Sequence, residues 1–124
     1  MNITKIMSSA AAIVSLSAIT AFADPAIIYD LGGKFDKSFN EMAYTGAERW
    51  KADTGGNYRE IELSSEAQRE QALRRFAEAG NNPIVMAGFA FSTVLGEVAK
   101  DYPDTRFAVI DGSTAATASR PRCR

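Results

Sequence analysis

The sequence predicts an open α/β fold with a mostly parallel sheet, four strands and three helices. Short apolar runs alternate with helix-length stretches of 3.6-residue periodicity. Gly, Pro or a strand-end acid punctuates each change. Strand–helix–strand units of this length close as right-handed crossovers, so neighbouring strands run parallel.

Ala26–Asp30 is an apolar run ending in an acid and reads as the first strand. Ser38 and Glu41 have capping-box spacing, and Phe39, Met42, Ala43, Gly46, Ala47 and Trp50 follow as an apolar stripe. Gly55-Gly56 stops this helix. Tyr58–Leu63 alternates as a second strand, with Tyr58, Glu60 and Glu62 opposite Arg59, Ile61 and Leu63. Ser65 and Gln68 form another capping box ahead of Ala72, Leu73, Phe76 and Ala77, and Gly80 ends that helix. Pro83–Ala87 is a fully apolar third strand. Phe91, Val94, Leu95, Val98 and Ala99 stripe a third helix, closed by Tyr102-Pro103. Arg106–Ile110 is the fourth strand, ending at Asp111-Gly112. A parallel sheet needs both faces covered. The fourth strand has no helix after it, so this unit reads as part of a larger domain.

Both ends differ from this pattern. Lys5 precedes an uncharged run from Ile6 to Phe22, and Ala21-Phe22-Ala23 has the small–x–small form of a signal-peptidase site. The run is rich in Ser and Ala, and spanning helices need about 20 predominantly apolar residues. Residues 1–23 therefore read as a cleaved secretory signal, with Asp24 as the new N-terminus. Residues 113–124 carry small polar residues, three Arg, one Pro and one Cys without apolar periodicity. They read as a disordered tail, of the kind a reading frame losing register after Gly112 would produce.

Composition narrows the chemistry. His is absent, which removes Ser/His/Asp and Cys/His catalysis and every His-based metal site. The single Cys, Cys123, has no partner for an intrachain disulfide. Asp24–Gly112 holds 10 basic and 15 acidic residues, a net charge of −5 and a poor nucleic-acid surface. Neither G-x-G-x-x-G nor a Walker loop follows the first strand, so no phosphate cradle, cofactor or metal is assigned. Arg69, Arg74 and Arg75 interleave with Glu66, Glu70 and Glu78, which reads as a solvated helix face.

In open α/β sheets ligands sit outside the carboxyl ends of the strands, at the point where strand order reverses. With the first strand central, that point lies between strands one and three. It gathers Asp30, Asp36, Phe39, Asn40, Phe89, Phe91 and Asp111 around one crevice. A mostly apolar pocket with a few convergent polar groups suits a small organic ligand. Plainer roles compete: Asp36 or Ser38 caps the helix, and Phe39 belongs to the core stripe. Two strand-end acids at one edge are costly without partners.

The motifs Asp30-x-Gly-Gly-x-x-Asp36-Lys37-Ser38-Phe39-Asn40, Gly88-Phe-x-Phe91 and Tyr102-Pro103-Asp104-x-x-Phe107-x-x-x-Asp111 resemble the basic membrane protein family. These are the PnrA-like substrate-binding proteins of bacterial ABC transporters. The resemblance covers Pro25 to Gly112 and implies the N-terminal part of a type I periplasmic-binding-protein-like lobe, in a family of two lobes joined by a hinge. It implies a ligand, commonly a purine nucleoside, delivered to a membrane permease. It makes Phe39 the ring stacked on the base, Asp30 and Asn40 polar contacts, and Phe89 and Asp111 wall residues. Many members carry a lipid-bearing Cys at the processing site, where this chain has Ala23-Asp24. A free periplasmic protein is therefore expected, associated with the membrane through its transporter.

Other readings are a small flavodoxin-like or hydrolase-type enzyme using Asp30 and Asp111, and the effector lobe of a transcription regulator. The leader, the missing His and the missing phosphate loop favour a binding protein over an enzyme. The leader also occupies the place a regulator's helix-turn-helix would take.

The leader generates the first prediction. Mass spectrometry of the exported protein is expected to find Asp24 as a free N-terminus. An intact Met1 or an acylated species would contradict it.

Overall fold

The computed structural model describes residues 23–113. The signal and tail read at the two ends of the sequence lie outside the described residues, apart from Ala23 and Ser113. The chain runs β1 (Ala26–Tyr29), α1 (Phe39–Thr54), β2 (Arg59–Glu62), α2 (Gln68–Glu78), β3 (Ile84–Ala87), α3 (Phe91–Asp101) and β4 (Phe107–Ile110). The four strands form one parallel sheet in the order β2-β1-β3-β4. The fold is thus the α/β class read from the sequence, with strand boundaries shifted inward by a residue or two.

Strand order dictates which helix lies on which face. The chain steps from β1 to β2 in one direction and from β2 through β3 to β4 in the other. Right-handed crossovers then place α1 on one face and α2 and α3 together on the opposite one. Alternate residues of β1 serve the two layers. Ala26 and Ile28 join Leu63, Leu73, Phe76, Ile84, Met86, Phe91, Leu95 and Val98 under α2 and α3. Ile27 and Tyr29 face Ala43, Tyr44 and Ala47 of α1, with Tyr58 and Val85. Every residue of β1 is buried, as a central parallel strand requires.

The stripes of α2 and α3 are buried as their periodicity predicts, but the stripe of α1 is not. Ala47 packs inward and Asn40 is buried, while Phe39, Met42 and Trp50 stay exposed. The small Ala43 and Ala47 let the helix axis settle onto Ile27 and Tyr29. The larger apolar side chains then flank the contact instead of forming it. Beside it Met42 and Trp50 border an apolar groove of about 370 Å³ floored by Ile27, Val85 and Ile110. Phe91 also departs from the crevice assignment. It is fully buried in the α2–α3 core.

Helix ends show where side chains replace missing backbone partners. The Ser38 hydroxyl makes no capping bond, contrary to the capping-box reading. Asp36 caps α1 instead, because its carboxylate accepts from Ser38 N, Glu41 N and Asn40 N. At α2 the helix begins at Gln68, whose Oε1 reaches back to the N–H groups of Ser64 and Ser65. Its other end is a Schellman turn. Gly80 N–H bonds Ala77 O at 3.0 Å and Asn81 N–H bonds Phe76 O at 3.0 Å, with Gly80 at φ 80°.

A Cβ at Gly80 would meet nothing within 4 Å, so backbone conformation alone demands glycine there. Gly80→Ala is expected to cost about 1–2 kcal/mol. The shift in urea midpoint at unchanged slope measures it.

Candidate functional site

The carboxyl ends of β1, β3 and β4 meet at one edge of the sheet. Gly88 N–H bonds Ile110 O at 3.1 Å, joining the turn after β3 to the end of β4. A Cβ at Gly88 would lie 3.4 Å from Asp30 Oδ2, and one at Gly112 would lie 3.2 Å from the Cα of Phe89. These close approaches bring Asp30, Phe89 and the Asp111 turn into one rim, as the strand order requires.

The β1–α1 loop is held from inside by Asn40. This side chain is 2 % exposed although polar. Its Nδ2 donates to Asp30 O at 3.0 Å and Gly33 O at 3.1 Å, and its Oδ1 accepts from Asp30 N at 3.0 Å. The amide is thereby spent on the backbone of the loop. Through these bonds Asn40 shapes the rim. Asp36 is likewise committed to the helix start.

A second tether runs to β2. Lys34 N–H bonds Glu62 Oε2 at 2.9 Å, and the Lys34 ammonium pairs with Glu60. That ammonium also lies 4.8 Å from the ring centre of Tyr44 and 5.6 Å from that of Tyr29. The hydrogen bond that the Lys34 ammonium donates to Glu60 raises the Lys34 pKa against the opposing effect of burial. Burial pushes the Tyr29 phenol up, reinforced by its 2.9 Å bond to Glu60 Oε2.

A third contact was not foreseen. Arg69, read as part of a solvated face, turns inward onto Asp30. Nε lies 3.0 Å from Oδ1 and Nη2 lies 3.2 Å from Oδ2. Asp30 thus has the partner that a strand-end acid needs. The two residues are 39 positions apart, and no local pattern joins them.

Phe39 is 51 % exposed and Phe89 71 % exposed, and Asp111 is exposed at φ 61°. Phe35 is exposed too, packed edge-to-face on Tyr44 at 5.3 Å. The rim therefore offers uncovered aromatic rings beside carboxylate acceptors. That combination suits a flat ring carrying hydrogen-bond donors. Among the described residues no group of three or more Asp, Glu, Cys or His side chains is placed to hold a metal. No helix among them is long and apolar enough to cross a membrane.

Known proteins share this fold. A family model described as ABC transporter substrate-binding protein PnrA-like matches residues 25–119, past Gly112. A Pyrococcus furiosus protein named as an uncharacterized lipoprotein is 42% identical over 93 residues, 72% of this chain and 23% of that protein. An ABC transporter solute-binding protein from Aeropyrum pernix superposes with a TM-score of 0.70 at 33% identity, over 75% of this chain and 25% of that one. Another from Conexibacter woesei gives 0.59 at 34% identity, over 68% and 28%. The chain spans about a quarter of the length of the relatives it matches.

The Asp36 cap gives a pH-dependent prediction. Desolvation raises its pKa, but bonds from the N–H groups of Ser38, Glu41 and Asn40 outweigh this and leave it below the usual carboxylate range. A depressed folded-state pKa stabilises above the unfolded value of about 4 and is lost as pH falls through the folded one. Asp36→Ala is expected to melt below wild type at pH 7. The two melting temperatures should converge in acid, which a thermal series from pH 7 to about pH 2 reads directly.

Proposed function

Because the chain belongs to the PnrA-like family of ABC transporter substrate-binding proteins, we propose that it binds a purine nucleoside outside the cytoplasmic membrane for delivery to an ABC permease. The observation that carries this reading is the exposed Phe39 ring at the start of α1, the helix that follows the carboxyl end of β1. A core stripe would have buried that ring. A phenyl face on a purine contributes about 1–3 kcal/mol and tolerates any base.

Asp30, reached over the Gly88 turn, and Asp111 supply acceptors for donors on the sugar or base. Phe89 closes the side of the same wall. Asn40 and Asp36 hold the loop and the helix start that aim Phe39. We assign the chain capture and release and no chemical step, so Asp30 and Asp111 act as recognition groups. With cleavage after Ala23 and no Cys there, it would act as a soluble periplasmic protein meeting the membrane at its permease.

Two-lobe binders gain affinity by closing two walls on the ligand. The described residues supply one wall. Nucleoside binding by a polypeptide limited to these residues is therefore expected to be weaker than about 1 μM, near −8 kcal/mol or less in magnitude. Phe39→Ala should weaken it by about a further 1–3 kcal/mol, with little change in melting temperature because the ring is uncovered. Titration of wild type and variant with guanosine, inosine and adenosine checks both points. Equal affinities for the two proteins would remove the stacking role.

A further inference from the structure

Arg69 stands outside every motif that identifies the site, yet it contacts the site's strand-end acid directly. It sits in the first turn of α2 and reaches across to β1. Its Nε and Nη2 both lie 3.0 Å from Asp30 Oδ1, Nη2 also lies 3.2 Å from Oδ2, and its Cζ lies 5.8 Å from the ring centre of Phe91. Phe91 is fully buried, so the guanidinium lies over a ring of the core. The Arg69 side chain is 15% exposed and that of Asp30 18%. Glu66 approaches Arg69 from outside at 4.0 Å.

A partly buried ion pair is weak as a stability device, because desolvation offsets most of the attraction. It is strong as an orientation device, because a planar fork fixes a carboxylate in one plane. An ionised carboxylate has about four acceptor positions. Arg69 occupies two, and among the described residues no other side chain takes the rest. Asp30 also lies against the Gly88 turn, where a Cβ would stand 3.4 Å from its Oδ2.

We infer that Arg69 is a positioning residue for ligand recognition: it locks Asp30 as a rigid, acceptor-only edge that selects ligands presenting paired hydrogen-bond donors. This rests on the nucleoside reading above and adds to it a residue that sets selectivity. In a purine nucleoside the paired donors come from the ribose hydroxyls or from the base edge of guanine.

The test uses the purified chain and Arg69→Lys, which keeps the charge and the stem but replaces the fork with a rotating ammonium. NMR titrations compare guanosine with 2′,3′-dideoxyguanosine, which lacks the hydroxyl pair, and with inosine, which lacks the exocyclic amine. Wild type is expected to disfavour one of the two analogues by at least about tenfold, since lost donors leave a partly buried acceptor unpaired. In Arg69→Lys that ratio should fall below about threefold while the melting temperature changes little. A merely structural role would weaken all three ligands alike and leave the ratio intact, which would overturn the inference. So would a wild type indifferent to both analogues. Absence of any nucleoside binding to wild type would overturn the nucleoside reading itself, and this role with it.

Discussion

The amide of Asn40 is the contact on which the site depends. It is a polar side chain buried in the first turn of a helix, where an apolar residue would normally pack. Burial of an unpartnered amide would be costly, so its bonds to the backbone of Asp30 and Gly33 are obligatory. Those bonds decide how the chain leaves β1, and therefore where Phe39, Lys34 and Asp30 lie. The Gly32-Gly33 turn, with both residues at positive φ, lets the loop curl tightly enough for one side chain to satisfy it.

Around this anchor the charges act locally. Three tethers leave the same loop in different directions: Asp36 to the helix start, Lys34 to β2 and Asp30 to α2. Each joins elements that the sheet already places side by side. Their combined effect is to restrict a glycine-containing loop that would otherwise lose much entropy on ordering. The uncovered rings of Phe39 and Phe89 can be tolerated because the loop beneath one and the β3 turn beneath the other are fixed by backbone hydrogen bonding.

The two faces of the sheet are unequal. Two helices cover one face, and the cluster beneath them holds most of the buried apolar side chains. The other receives α1 alone, and its small residues make a narrow contact that leaves Met42 and Trp50 at the border of an apolar groove. The inequality follows from strand order and crossover handedness.

The sequence by itself determined the element order, the parallel sheet and the buried stripes of α2 and α3, because periodicity is local and one face of each helix has a single destination. With the first strand taken as central it also marked the edge at which Asp30, Phe89 and Asp111 meet, but the strand order itself came from the tertiary structure. The tertiary structure alone decided which side chains those residues face. Capping-box spacing pointed to Ser38, yet the loop's path brought Asp36 to the same N–H groups. Charge interleaving pointed Arg69 to solvent, yet α2 lies beside β1 and gives it Asp30. Phe39 and Phe91 each lay both on a helical stripe and in the crevice assignment, and packing left Phe39 exposed while it buried Phe91. In each case the competing partners are distant in sequence or nearly equal in local preference, so the choice falls to how closely the layers pack.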